Sequence, residues 1–440
     1  MAHDAPPAPH LPTAPIHRLT RPLVRFLQIE SAGGIVLLTC TAVALAMANS
    51  PAAGWWDGLW HAHVVVEVGG GRLGGELGHF LVNDLLMTVF FFVVGLEIKR
   101  ELVVGELRDP RKAALPVAAA IGGMIAPALI YYALQGGQPG ERGWGVPMAT
   151  DIAFVVGVMS LLGRRAPPGL MVMLLCVAIA DDIGAVVVIA VFYSAGLSWL
   201  MLGLAAAGLV VVALLSRLGV RSVGVYVAVG AGVWLAMLKS GVHPTIAGVV
   251  LGLMSPSAAW VGATAFRSTV AEVLGRIDDS GVEVAGPERQ MLAFAARESV
   301  SPLERLEGRL HPWVAFVIMP LFALANAGVA VETDLLGSPV ALAVAAGLFV
   351  GKPAGVVLFS LLAVRAKVAR LPEGVSWRMV LGGGFLSGIG FTMSLFVAGL
   401  ALAGDLLTAG KVGTLCGSAA SAIAGAAVLM WATPKRSPEN

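Results

Sequence analysis

Apolar residues in this chain fall in long runs rather than alternating with polar ones. The runs lie near 33–48, 80–97, 113–134, 144–162, 169–193, 197–216, 223–238, 242–254, 313–331, 339–364, 379–402 and 410–432. A run of roughly 20 apolar residues predicts a helix that crosses a bilayer. The pattern therefore predicts an all-α polytopic membrane protein with twelve transmembrane helices, the eighth of them short. The polar stretches between the runs predict the remaining parts. Residues 1–30 are rich in Pro and His and hold no apolar run, which reads as a disordered leader rather than a signal peptide. Residues 61–79 contain VVVEVGGGRL, a Val-rich run, a triple Gly and a second short run, which predict an exposed β-hairpin. Such a hairpin either caps a loop or offers an edge to a second copy of the chain. Residues 31–432 form the membrane domain and 433–440 a tail. Within that domain, 255–311 is a long polar loop with helical periodicity around 270–277 and 302–310, read as a connecting or regulatory segment.

Composition and charge sharpen this reading. Of 440 residues, 57% are hydrophobic and 13% charged, against about 25% charged in ordinary soluble chains. Three soluble domains and a nucleic-acid-binding surface are thereby excluded. In the odd-numbered loops the only basic residues are Arg72, Arg142, Lys239 and Lys411. All the other basic residues except Lys352 lie in the leader, the even-numbered loops and the tail, so both termini are expected in the cytoplasm and the hairpin in the periplasm. Cys40, Cys176 and Cys416 sit in apolar runs and read as packing residues.

Four charges lie near the middle depth of the runs. Asp151 lies 12 residues before Gly163, and Asp181 lies 12 residues after Gly169. At 1.5 Å per residue both are roughly 18 Å from the basic turn between their helices, near the middle of a bilayer. Asp182 is level with them, and Lys352 lies about 20 Å above Arg365 on its own helix. Ionised groups at that depth cost at least a few kcal/mol, so they need a partner, a proton or a function. The structural alternative is a buried polar network in which Lys352 pairs with one Asp. The functional alternative is that adjacent carboxylates bind either a proton or a hard cation such as Na⁺ or Li⁺. Pro147 ahead of Thr150-Asp151, and glycines at 382–384, 388 and 390, predict interruptions in the fourth and eleventh helices. The charges would then balance the exposed helix ends. The same glycines are also compatible with close helix packing.

Several of these segments resemble one family. ATDIAFVVGV (149–158), AIADDIGA (178–185), FFVVGLEIKREL (91–102), LKSGVHPTIAGV (238–249), LHPWVAF (310–316), FALANAGV (322–329), GKPAGV (351–356), LPEG (371–374) and GIGFTMSLF (388–396) are similar to NhaA-type sodium/proton antiporters across nearly all of residues 31–432. The resemblance implies two inverted repeats whose discontinuous helices cross near the midplane. It implies Asp181 and Asp182 as ion-binding and proton-carrying groups, and Asp151 and Lys352 as charge balancers, with Lys352 pairing Asp182 and Thr150 as a neighbour. It further implies electrogenic exchange of Na⁺ or Li⁺ for H⁺ in a bacterial inner membrane, with no cofactor. A response to alkaline pH would involve Glu97, Arg100, Glu101, His243, Glu307 and His311, and a homodimer would form through the 61–79 hairpin. Gly308, where the best-known pattern has His, and the longer 255–311 loop depart from the family and bear on the pH set-point. Two rival classes fit less well. An intramembrane aspartyl protease would carry a Gly-x-Gly-Asp motif, which is absent, and an organic-anion symporter would offer basic or hydroxyl groups where this chain has acids.

Overall fold

The computed structural model describes residues 30–68, 71–162, 167–194, 196–220, 222–280, 286–330 and 333–433. The leader before Glu30, the basic turn at 163–166 and the tail after Thr433 lie outside the described residues. Each of the twelve apolar runs is helical, whole or in two pieces. In chain order the helices are α1 (Glu30–Ala48), α2 (Ala53–Trp60), α3 (Leu77–Val103), α4 (Pro110–Gln135), α5 (Ile152–Leu162), α6 (Pro168–Phe192), α7 (Trp199–Arg217), α8 (Val223–Leu238) and α9 (Thr245–Met254). They continue with α10 (Ala263–Ser280), α11 (Gly286–Glu298), α12 (Pro302–Asn326), α13 (Pro339–Arg365), α14 (Trp377–Ser387), α15 (Phe391–Ala401) and α16 (Gly404–Ala432). Among the described residues, 8 segments are long and apolar enough to cross a membrane, or 10 if each sharply bent pair is one span. The bent pairs are α1–α2, turned by 118°, and α14–α15, turned by 46°, while α8 and α9 are shorter apolar helices.

Local chemistry sets the helix ends. At α4 the Asp109 carboxylate accepts from the Arg111 N–H at 3.0 Å and Pro110 takes the first helical position, where a missing N–H costs nothing. Ser301 and Glu304 form a reciprocal capping box at the start of α12. Small residues then bring helices together. A Cβ on Gly122 of α4 or Gly355 of α13 would collide with the other's backbone, and Gly95, Gly248 and Gly252 do the same between α3 and α9. Gly382, Gly383 and Gly384 belong to this class too, since they lie within α14 against Leu429, Leu174 and Pro353.

The expected hairpin is present. β1 (His63–Val68) pairs antiparallel with β2 (Gly71–Glu76), from His63 opposite Glu76 to Val68 opposite Gly71. Among the described residues no third strand pairs with it, and Val64 and Val65 are exposed. The long loop holds helices where its periodicity predicted them and one more at Gly286–Glu298. Most of it is helix: α10 packs on α11, and Trp260 and Val261 donate backbone N–H groups to the Glu298 carbonyl at 3.1 and 3.0 Å.

Candidate functional site

Two interrupted helices meet in the interior. A 3₁₀ segment, Glu141–Met148, contains Pro147 and ends before Ala149, whose backbone is extended; the α-helix resumes only at Ile152. In the eleventh run, α14 stops at Ser387 and α15 starts at Phe391. The two gaps satisfy one another's freed backbone groups, which non-helical chain at this depth requires. Asp151 N–H donates to the Ile389 carbonyl at 2.7 Å, and the Ser394 hydroxyl donates to the Val146 carbonyl at 2.7 Å. From α16, the Ser418 hydroxyl accepts the Phe391 N–H at 3.1 Å.

Asp151 serves two helix starts together. Its Oδ1 accepts the Phe154 N–H of α5 at 3.4 Å, and its Oδ2 accepts the Thr392 N–H of α15 at 3.2 Å together with the Thr392 hydroxyl. A carboxylate between two helix N-termini balances both positive ends.

One residue back, the Thr150 hydroxyl lies 2.7 Å from Asp181 Oδ2 and 2.8 Å from the Ser387 carbonyl. It has one proton for two acceptors. Asp181 Oδ2 also receives the Lys352 ammonium, so that pair joins α6 to α13. This corrects the expectation from family resemblance, which paired Lys352 with Asp182. Neighbouring residues on a helix point about 100° apart, so only one of the two acids can face α13. Gly123 of α4 borders the lysine stem, a Cβ there lying 3.6 Å from Lys352 Cδ.

Every member of this group is sealed from solvent: Lys352 is 0% exposed, Thr150 and Asp181 1%, Asp151 and Asp182 2%. Among the described residues, Oδ1 of Asp181 and Oδ1 of Asp182 are buried with no hydrogen-bond partner. An unpaired buried acceptor costs on the order of 1–3 kcal/mol, more if charged, so this centre favours an added proton or cation. It holds two adjacent carboxylates and one compensating ammonium.

The remaining predicted residues separate into two places. At the far end of α3 from the hairpin, Arg100 pairs with Glu307 of α12 and lies 3.7 Å from Glu101, whose carboxylate accepts the Glu106 N–H at 3.2 Å. Glu97 lies one turn before Glu101, and His311 one turn after Glu307. Lys99 caps the end of α9 through the Leu253 carbonyl at 2.7 Å. A cavity of about 580 Å³ opens beside this cluster, bordered by Glu101, Glu106, Asp109, Lys112 and, on α6, Val172 and Cys176. Cys176 is five residues from Asp181, about 8 Å along the helix. His243 is not part of that cluster. It lies near the hairpin end of α3, with Nε2 3.7 Å from Asp84 Oδ1, Nδ1 2.7 Å from the Thr245 hydroxyl and its ring 5.3 Å from that of Phe396. The sequence reading missed Thr392 and Asp84. Asp84, like Asp151, is a carboxylate inside an apolar run, but it lies only four residues from the start of that run.

The sequence profile described as Na⁺/H⁺ antiporter 1 matches residues 24–429. The chain is 50% identical over 432 residues to the Na(+)/H(+) antiporter NhaA of Rhodopirellula baltica, covering 97% of each chain. It is 48% identical over 440 residues to Na(+)/H(+) antiporter NhaA 1 of Acidiphilium cryptum, covering 99% of this chain and 97% of that protein.

Proposed function

Since the chain belongs to the NhaA-type Na⁺/H⁺ antiporter family, we propose that it exchanges Na⁺ for H⁺ across a bacterial inner membrane, with Asp181 and Asp182 as the groups that proton and cation share. The family's members are transporters rather than enzymes. The observation that carries the residue assignment is the pair of unpartnered carboxylate oxygens, Oδ1 of Asp181 and of Asp182, buried where two interrupted helices meet. A proton satisfies such an oxygen by covalent bonding and a small alkali cation by coordination, and the two compete for the same lone pairs. Thr150 adds a neutral oxygen, Lys352 supplies the positive charge that makes two acids tolerable, and Asp151 holds the helix starts.

The finer reading follows the same chemistry. Li⁺, also a hard cation, is a second substrate. Two acids discharging protons against one Na⁺ make the cycle electrogenic. The 8 long segments, the two bent pairs and the two shorter helices support twelve crossings, which with the basic-residue asymmetry puts both termini in the cytoplasm. The back-to-back interruptions support the inverted repeats already described for NhaA-type transporters. The cluster of Glu97, Arg100, Glu101, Glu307 and His311, and separately His243, are the groups we assign to the alkaline-pH response. The exposed hairpin edge supports a homodimer joined through residues 61–79. Deleting that hairpin should yield a monomer by light scattering in detergent.

The test of the exchange itself is acid quenching in proteoliposomes. Added Na⁺ or Li⁺, but not K⁺, should drive protons outward, faster when a membrane potential favours the cycle, and Asp181→Asn and Asp182→Asn should each be inactive. Near-normal exchange by either variant removes that residue from the centre.

A further inference from the structure

The chain does not pass straight from α1 into the hairpin. α1 ends at Ala48, and four residues later the chain restarts as α2 (Ala53–Trp60), turned by 118°. A helix that leaves a bilayer and then turns past a right angle runs back towards the headgroups. Side chains hold this bend. Asn49 Nδ2 donates to the Leu45 carbonyl at 2.8 Å and to the Val329 carbonyl, beyond α12, at 2.9 Å, and the Ser50 hydroxyl accepts the Ala52 N–H at 3.1 Å.

α2 presents three different edges. Trp55 and Leu59, one turn apart, are both exposed, Trp55 by 65%. Asp57 and His61, also one turn apart, form a hydrophilic edge, with the Asp57 side chain 76% exposed and its Oδ1 3.3 Å from His61 Nδ1. Residues two apart lie about 200° round a helix, so the apolar and polar edges stand on opposite sides. Trp56 and Trp60 lie between them and turn to the protein. Their rings meet edge to face at 5.7 Å, Trp60 against Gly78 of α3 and Trp56 against Gly328 after α12.

The apolar edge continues a surface that already faces lipid. Ile35, Leu38 and Val43 of α1 are exposed, as are Tyr132 near the end of α4 and Trp199 at the start of α7, which lie at the hairpin side of the bundle. Aromatic side chains at span ends settle at headgroup depth, where the ring is in an apolar layer and its N–H or O–H is wet.

We propose that α2 is an in-plane membrane anchor: Trp55 and Leu59 seat in the headgroup layer of the hairpin-side leaflet, with phospholipid as the partner, while Asp57 and His61 face water. β1 begins at His63, three residues past Trp60, so the depth of α2 also sets the height at which the hairpin stands above the bilayer. The anchor goes beyond the exchanger reading and does not depend on it.

The experiment reconstitutes the full chain in phosphatidylcholine–phosphatidylglycerol bilayers, with or without bromine on the acyl chains close to the headgroups, and reads tryptophan emission. The chain has 10 tryptophans, so the Trp55 signal is the difference between wild type and Trp55→Phe. That signal should lose most of its emission in the brominated bilayer and little of it to aqueous iodide. A tryptophan on the opposite edge, Trp55→Phe/Asp57→Trp, should respond the other way round. A Trp55 signal that bromine leaves unquenched overturns the proposal, whether iodide reaches it, which means an aqueous face, or does not, which means a face covered by protein such as a second copy. Equal quenching by bromine at positions 55 and 57 overturns it too. Unchanged melting of both variants shows that each reading comes from the folded chain.

Discussion

Asp181–Lys352 in the middle of the molecule and Glu307–Arg100 at the end of α3 are both carboxylate–cation pairs, held in different surroundings. The first is fully buried, whereas in the second the arginine side chain is 42% exposed and the glutamate 11%. Water can replace a lost partner in the second pair and cannot in the first. Burial thus separates a group that must stay compensated throughout the cycle from one whose balance can be adjusted at small cost.

Breaking the central pair tests this most severely. Lys352→Ala leaves Asp181 beside Asp182 with no ammonium, and the unfolding free energy in detergent should fall by about 3–5 kcal/mol. The double variant Asp181→Asn/Lys352→Met, which removes both charges, should recover most of that stability without recovering exchange. An unchanged melting temperature for Lys352→Ala would mean the pair is not structurally required.

A smaller effect is expected one layer out. Thr392→Val deletes the hydroxyl that bonds Asp151 but keeps the backbone N–H bond, and should cost about 1–3 kcal/mol. Exchange should be reduced, not abolished, and Thr392→Ser should restore it. If Ser is no better than Val in thermal unfolding and transport, the hydroxyl bond has no role.

The peripheral pair should respond least. Glu307→Gln should change stability by no more than about 1 kcal/mol, and less at high salt. Its informative readout is the pH profile of exchange. A large loss of stability would mean that Glu307 is held as tightly as the central acids.

Much of this arrangement was legible in the sequence because charge is conspicuous in an apolar run. Asp151, Asp181, Asp182 and Lys352 could be found by depth alone, and Pro147 and Gly388-Gly390 marked the interruptions. Which aspartate takes the lysine was not legible, since helix rotation decides it and sequence spacing does not. Gly382–384 gave the same compositional signal as Gly388 and Gly390 but serve packing. Only tertiary contact tells them apart. Asp84 is four residues inside its run and reads as near the surface, while the π-winding of Leu77–Leu86, on which it lies, has no mark in the apolar pattern. The helices of the 255–311 loop were only partly legible: periodicity around 270–277 and 302–310 marked two of them, and Gly286–Glu298 carried no such mark.

The double cap on Asp151 constrains how the carrier can move. Shifting α5 alone, or α15 alone, would strip this carboxylate of one of its two helix starts inside a dry interior. The two half-helices are therefore yoked, and a displacement of one draws the other with it.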